Sequence, residues 1–142
     1  MLSPLKSNVM TIIPVGTSEP TDIAITGVSS GRDKVYLVNS LENSISVIDV
    51  VTNKIRTTIE SVGSRPLKIA ITSDNSRAYF SVAEEDIIRA IDITTDTLLG
   101  IRIKVGDEPH GLAISEDDNW LYVANFLSND ISVLDLSTNR AV

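Results

Sequence analysis

The chain contains no cysteine and a single histidine, and aromatic residues make up 4% of its 142 residues. The absence of cysteine excludes disulfides, thiolate nucleophiles, iron–sulfur clusters and zinc sites built on thiolates. One histidine, His110, cannot build a His-rich metal site. No phosphate-binding glycine loop, nucleophile elbow, zinc-protease motif or calcium-loop pattern is present. We therefore expect no metal and no other cofactor.

Basic residues are also scarce, since 12 Lys and Arg face 19 Asp and Glu and give a formal net charge of -7. Nucleic-acid binding requires clustered Lys and Arg that neutralise phosphates, so nucleic acid is not an expected partner. No apolar run approaches the roughly 18 residues of a membrane span. The N-terminus also lacks the apolar core of a secretory signal. This predicts the cytoplasm if the sequence is complete, and leaves the cell surface or periplasm open if it is a mature form or a fragment.

One phrase recurs at a fixed interval of 43 residues. The sequence reads ISVIDVVTN at 45–53, IRAIDITTD at 88–96 and ISVLDLSTN at 131–139. The tyrosines at 36, 79 and 122 keep the same register, and Val-Gly followed shortly by Pro recurs before each unit. Internal repeats of this length are typical of solenoids and propellers.

Each unit contains four short β segments, which in the first unit are 22–26, 34–40, 44–50 and 54–61. Val, Ile, Thr and Tyr dominate them and turn residues bound them, which predicts an all-β fold. The second segment is apolar on nearly every residue, which predicts burial on both faces. The repeated Asp49, Asp92 and Asp135 are interpreted as turn residues that accept backbone N–H bonds, not as catalytic carboxylates. Asn53 and its equivalents are predicted to adopt a positive φ.

Four antiparallel strands in a unit of this length indicate a β-propeller blade. Tyr36-Leu37-Val38-Asn39 and Tyr122-Val123-Ala124-Asn125, followed by SVID or SVLD and the turn TN, resemble the YVTN family of β-propeller repeats. The resemblance covers residues 9 to 142. The middle unit departs most, with Tyr79-Phe80-Ser81-Val82 and with Arg89 where the others have serine. Propellers with such repeats occur in surface-layer proteins, lactonase-like enzymes and redox enzymes, so the resemblance implies the fold and leaves the function open.

The predicted organisation is a single half-ring domain, 1–142. It consists of a closing strand at 1–16 and blades at 17–63, 64–106 and 107–142, the last with an incomplete fourth strand. Closed propellers have about four to eight blades, so three are too few. In repeat register, Met10 follows Val142, so the N-terminal segment matches the piece missing from the third unit. We therefore predict a homodimer of six blades, in which residues 9–15 pair with the strand at 130–136 of the other chain. A segment of a longer protein is the alternative.

The fourth-to-first and second-to-third loops of a propeller lie on one face, which is predicted to be acidic. The candidate ligand-binding residues in these loops are His110, Asp22, Arg65, Lys68 and Glu108. The carboxylates expected on this face, opposed only by Arg65 and Lys68, are Glu19, Asp22, Glu42, Glu84, Glu85, Asp86, Asp107, Glu108 and Asp130. Such a face favours cationic protein or small-molecule partners.

Two classes of function follow. The first is a non-catalytic binding or scaffolding propeller, which the regular repeats and the missing catalytic constellation favour. The alternative is a lactonase-like hydrolase or the propeller part of a redox enzyme. An enzyme would need a non-repeating polar cluster in the channel, and the divergence of the equivalent positions Asp22, Lys68 and Gly111 is the feature in its favour.

Overall fold

The computed structural model describes residues 10–16, 18–27 and 33–142 and contains three four-stranded antiparallel sheets. In each sheet the strands pair in chain order. The first sheet, blade 1, consists of β1 (Pro20–Ile25), β2 (Lys34–Asn39), β3 (Ser44–Asp49) and β4 (Lys54–Ile59). Blade 2 consists of β5 (Pro66–Ile71), β6 (Arg77–Val82), β7 (Ile87–Asp92) and β8 (Thr97–Lys104). Blade 3 consists of β9 (Pro109–Ile114), β10 (Trp120–Asn125), β11 (Asp130–Asp135) and β12 (Arg140–Ala141).

The predicted all-β propeller architecture is confirmed, with three blades that pack face to face. The first strands are innermost, because β1 packs beside β5 and β5 beside β9. One helical element occurs among the described residues, a 3₁₀ turn at Ala83–Glu85. No helix in this part of the chain is long and apolar enough to cross a membrane.

The hairpin that joins the third and fourth strands forms as the sequence predicts. The Asp49 carboxylate accepts the backbone N–H groups of Val51 at 2.9 Å and Thr52 at 2.8 Å. Asn53 ends the turn with a φ of 55°. The equivalent residues of the other blades, Asp96 and Asn139, both have a φ of 56°. Asp49 therefore serves the turn with its carboxylate. Asn53, Asp96 and Asn139 serve it with their backbone, because Asn and Asp tolerate the left-handed region better than branched residues do.

Low pH should destabilise the protein through the turns that aspartate carboxylates stabilise. Hydrogen bonds lower the pKa of four turn carboxylates below the ordinary value of 3.8, and the first cause is the Thr52 N–H for Asp49 and the Ser137 hydroxyl for Asp135. The same direction holds for Asp74 and Asp117. A depressed folded pKa contributes stability that is present above the unfolded pKa and is lost as the pH falls through the folded pKa. Thermal unfolding followed by circular dichroism should show a midpoint that falls below about pH 4. A midpoint that is level or rises there would contradict the assignment.

Two apolar clusters fill the spaces between the blades. The first joins blades 1 and 2 through Tyr36, Val38 and Ile45 on one side and Ile69 and Phe80 on the other. The second joins blades 2 and 3 in the same way and includes Tyr79, Ile88, Leu121, Val123 and Leu134. β2 and β6 are buried on both faces, as predicted. In the single chain β10 alternates between exposed and buried residues, because no further blade of the described chain covers its second face.

Polar contacts between blades repeat with the same spacing. The Tyr36 hydroxyl donates to Asp96 Oδ1 at 2.5 Å, and the Tyr79 hydroxyl donates to Asn139 Oδ1 at 3.2 Å. Each pair is 60 residues apart. Lys34 adds a buried ion pair in the first interface, since its Nζ lies 2.9 Å from Asp96 Oδ1. The tyrosines of the first two repeats therefore join their blades to the hairpin of the next blade.

The predicted closing strand, 1–16, lies only partly within the described residues, which begin at residue 10. Residues 10–15 form no strand, and Met10 and Ile12 are exposed. β12 pairs only with Leu134 and Asp135 of β11. The pairing of this segment with a second chain stays a prediction.

Candidate functional site

The loops β2–β3, β4–β5, β6–β7, β8–β9 and β10–β11 meet at one end of the three blades, which we call the upper face. The antiparallel strand order places these loops there, because the chain enters and leaves each four-stranded blade at the same end. The chain before β1 also lies here, because Leu41 donates its N–H to the Ser18 carbonyl at 3.1 Å. The upper face thus contains the loops in which the ligand-binding residues were predicted.

The loops are fixed to one another by hydrogen bonds from backbone N–H groups of one blade to side chains of the preceding blade. Arg65 has a φ of 60° and donates its N–H to Asn43 Oδ1 at 2.9 Å. Glu108 has a φ of 53° and donates its N–H to Asp86 Oδ1 at 2.8 Å. Glu19 occupies the same position before β1 and also has a φ of 53°. A residue held in the left-handed region keeps its side chain in a defined direction, so this face has a preorganised backbone.

Arg65 and Glu108, two predicted site residues, are brought into contact. Arg65 Nη1 lies 2.7 Å from Glu108 Oε1, and the arginine side chain is 44% exposed. An ion pair of this exposure contributes about 0–1 kcal/mol. It therefore orients the two side chains and leaves them accessible to a partner.

Asp22 and Lys68 contact neighbouring strands. Asp22 Oδ2 accepts the Ile69 N–H at 3.0 Å and so joins β1 to β5. The Lys68 backbone N–H donates to Ser81 Oγ at 3.1 Å. The Lys68 ammonium group makes no ion pair with the described residues. Asp22 therefore has a structural contact, while Lys68 contributes a free positive charge.

His110 lies within blade 3 at the start of β9. Its ring stacks on Phe126 with centroids 4.9 Å apart and an interplanar angle of 20°. Its Nε2 is buried and has no hydrogen-bond partner among the described residues. No Ser hydroxyl of the described residues hydrogen-bonds to the imidazole, although the His110 carbonyl accepts the Ser81 hydroxyl at 3.1 Å. The structure therefore places His110 apart from a nucleophile.

A cleft of ≈ 390 Å³ opens on the upper face between blades 1 and 2. Its lining residues are Glu19, Thr21, Ser40, Leu41, Asn43, Arg65, Leu67 and Glu84. Only Arg65 of these is among the five predicted ligand-binding residues. Ser40, Leu41 and Asn43 were not predicted as site residues, because they follow a strand that the repeat pattern explains completely.

The upper face is less acidic than predicted. Arg102 Nη2 lies 2.6 Å from Glu85 Oε2, and Lys104 Nζ lies 3.3 Å from Asp86 Oδ2. The expectation that only Arg65 and Lys68 oppose the carboxylates was therefore incomplete, because β8 brings two further cations to this end. The pKa of Glu85 is lowered first by the Ser64 N–H and then by Arg102. Glu19 and Glu84 remain exposed in the cleft.

A second polar cleft, of ≈ 430 Å³, lies at the opposite end between blades 2 and 3. Its acidic residues are engaged locally, since Asp118 accepts the Ser73 N–H at 2.8 Å and the Ser73 hydroxyl at 2.6 Å. Among the described residues no group of three or more His, Asp or Glu side chains is arranged to hold a metal ion. The upper face is therefore the better candidate site.

Comparison with known proteins relates the chain to several propellers. A family model described as the cytochrome D1 heme domain matches residues 31–142. Hydrazine synthase of Kuenenia stuttgartiensis superposes with a TM-score of 0.78 at 28% identity, over 94% of this chain and 37% of that chain. U3-55K superposes with a TM-score of 0.79 at 18% identity, over 93% and 40%. A putative 6-phosphogluconolactonase of Bacteroides fragilis superposes with a TM-score of 0.70 at 20% identity, over 88% and 37%.

These likenesses differ in what they support. At or below 20% identity, the last two show the fold alone. The chain spans well under half the length of the structures it matches. No curated protein matches the sequence. The neighbours therefore range from a lactonase-like protein to other propellers and do not establish a reaction.

Proposed function

We propose that this chain, which belongs to the cytochrome D1 heme domain family of β-propellers, is a non-catalytic binding module. In this proposal it contacts a partner through the loops of the upper face. The observation that carries the proposal is the cleft of ≈ 390 Å³ between blades 1 and 2. Hydrogen bonds across the blades fix its rim, so a partner would bind without ordering these loops first.

The charges in the cleft favour a cationic partner. Glu19 and Glu84 are exposed at its rim, and Arg65 is already paired with Glu108. A cationic peptide would meet two open carboxylates, whereas an anionic one would meet a neutralised arginine. We therefore propose a basic protein segment as the partner. The YVTN assignment refines the same proposal, supported by the matching Tyr36 and Tyr122 segments.

The heme named in the family description does not fit the upper cleft, because none of the residues that line this cleft is His, Cys, Met or Tyr. Heme iron is held in proteins by His, Cys, Met or Tyr side chains. The chain lacks cysteine, and His110 stacks on Phe126 with its Nε2 buried and lines none of the described clefts. The Tyr36 and Tyr79 hydroxyls are engaged with Asp96 and Asn139. The carboxylates of a heme would also meet Glu19 and Glu84 in the upper cleft.

A hydrolase remains the alternative proposal, and one position favours it. His110 is the residue that breaks the repeat at the start of β9, where blades 1 and 2 have Thr21 and Leu67. Acid–base catalysis requires a group within hydrogen-bond reach of the reacting proton. Lactone turnover that is abolished in His110→Ala would favour this alternative over the binding module.

A hexalysine peptide tests the proposed binding function. Calorimetric titration at low ionic strength should detect binding that weakens as salt is added. Glu19→Gln and Glu84→Gln should each weaken binding roughly 1.5- to 5-fold, because an exposed charge pair contributes about 0.2–1 kcal/mol.

Glu116→Gln is the matched control, since Glu116 is exposed on a turn at the opposite end and carries the same change of charge. It should leave the affinity unchanged, and a hexaglutamate peptide should not bind. Equal weakening by all three substitutions, or no binding of hexalysine, would contradict the proposal.

A further inference from the structure

Blade 3 exposes an apolar face whose counterparts in blades 1 and 2 are buried. Tyr36 and Tyr79 are 0% and 1% exposed, whereas the equivalent Tyr122 is 45% exposed. Ile45 and Ile88 are fully buried, whereas the equivalent Ile131 is 67% exposed. An apolar cleft of ≈ 280 Å³ lies here. Its lining residues are Gly111, Leu112, Ala113, Tyr122, Val123, Ala124 and Ile131.

Blade 1 presents the complementary face. Ile23 is 60% exposed, whereas Ile69, its equivalent in blade 2, is 6% exposed because it packs against blade 1. Ile25 and Ile55 are exposed on blade 1 as well. Between blades 1 and 2, the face that carries the tyrosine packs against the face that carries the first-strand isoleucine. The described chain leaves the tyrosine face of blade 3 and the isoleucine face of blade 1 uncovered.

The polar contacts between blades identify how these two faces match. Tyrosine contacts the hairpin residue of the next blade in the pairs Tyr36–Asp96 and Tyr79–Asn139. The same relation applied to Tyr122 selects Asn53, the hairpin residue of blade 1. Neither the Tyr122 hydroxyl nor the Asn53 side chain makes a hydrogen bond within the described residues.

A second contact repeats in the same way. Asn43 accepts the N–H of Arg65, and Asp86 accepts that of Glu108, each 22 residues further on. The equivalent pair is Asn129 and Glu19, which has the same left-handed φ as Arg65 and Glu108. Both faces therefore have the polar groups that each existing interface uses.

We propose that two copies of this chain close into a six-bladed ring, in which blade 3 of each copy packs on blade 1 of the other. Tyr122 then contacts Asn53 of the second copy, and Asn129 accepts the Glu19 N–H of the second copy. Two copies suffice, because six blades lie within the roughly four to eight of a closed propeller and a two-fold ring pairs each uncovered face with its counterpart. This inference does not rest on the proposed binding function.

The N-terminal segment has a place in this ring. Val62 donates its N–H to the Asn43 carbonyl, and Val105 donates to the Asp86 carbonyl, both at 3.0 Å. Val15 precedes a glycine in the same motif, so its N–H would reach the Asn129 carbonyl of the second copy. Residues 10–15 would then cover the open edge of β11, which is otherwise an aggregation hazard.

Light scattering of the 142-residue chain should give a mass near twice 15.4 kDa. Tyr122→Arg and Ile131→Lys should each produce monomers, with circular dichroism used to show that the sheets persist. Leu41→Lys is the control, because Leu41 is a comparably exposed apolar residue outside both faces. A monomeric wild type, as expected if further blades of a longer polypeptide cover these faces, would overturn the proposal. A dimer unaffected by both substitutions would also overturn it.

Cysteine pairing gives an independent test, because the natural chain has no cysteine. Because a direct disulfide needs Cα atoms within about 7 Å, the chain carrying both Asn53→Cys and Tyr122→Cys is treated with a bismaleimide long enough to replace the tyrosine side chain. It should then run as a single covalent dimer on a denaturing gel. The chain carrying Asn53→Cys alone should not cross-link, since the two Asn53 positions lie in different interfaces of the ring. A ladder of higher multimers would indicate open head-to-tail association, and an absence of cross-linking would exclude the contact. Either result would overturn the proposal.

Discussion

Replacing Gly63 with alanine should lower the free energy of unfolding by about 2–5 kcal/mol. Gly63 has a φ of 128°, and a Cβ placed there would lie 2.7 Å from Val82 Cγ1 and 3.1 Å from Glu85 Oε1. The left-handed backbone and the overpacking both oppose a side chain. The loop is also held in place by Ser64, whose N–H donates to Glu85 at 2.8 Å, so it has little room to move away.

Denaturant unfolding at a fixed protein concentration would measure this loss. Gly100→Ala is the matched control, because Gly100 lies in β8 with no atom within 4 Å of its added Cβ. That substitution should be neutral or stabilise the protein by about 0.5–1 kcal/mol. Equal effects of the two substitutions would show that the Gly63 loop relaxes freely.

Asp96→Asn should destabilise the protein by about 3 kcal/mol. The Lys34 and Asp96 side chains are only 9% and 6% exposed, so the substitution leaves a buried ammonium group without its counter-ion. The Tyr36 hydroxyl can still donate to an amide oxygen, as the Tyr79 hydroxyl does to Asn139. Asparagine also suits the left-handed φ of this position, so the backbone is not the source of the loss.

Two further variants isolate the charge effect of Asp96→Asn. The double variant Lys34→Met/Asp96→Asn should recover most of the lost stability, because a neutral buried pair needs no counter-ion. Arg56→Gln should cost less than about 1 kcal/mol, since Arg56 is exposed and lies 3.9 Å from Asp96. A double variant as unstable as Asp96→Asn alone would contradict this explanation.

The repeat predicted the sheets because strands and turns are local. Asp49 and Asn53 could be assigned to a hairpin from the residues alone, since the turn chemistry lies within a few residues. The exposed alternation of β10 could not, because burial depends on whether another blade covers it. Periodicity shows which residues are equivalent and does not show which residues touch. The tyrosines were therefore aligned without their partners Asp96 and Asn139.

The candidate site was less predictable for the same reason. The loops of the upper face were correctly grouped from blade topology, but the side chains within it were not. His110 stacks on Phe126, a contact between β9 and the residue after β10 that no repeat position indicates. Arg102 and Lys104 reach the upper face from β8, whose eight residues make it longer than the strand β4 at the same place in blade 1. Lengths and rotamers of this kind are set by tertiary packing.

The pairing of strands in chain order has a consequence for how the protein folds. Every hairpin closes a short loop, so an individual blade can form on the timescale of hairpins, about 1–10 μs, despite the all-β fold. The slower step is the docking of preformed blades, and until it is complete each blade displays two apolar faces. Folding and aggregation then compete for the same surfaces, and the outcome depends on chain concentration. Dilute refolding should favour docking within a chain, while crowded refolding should favour mispaired blades from different chains.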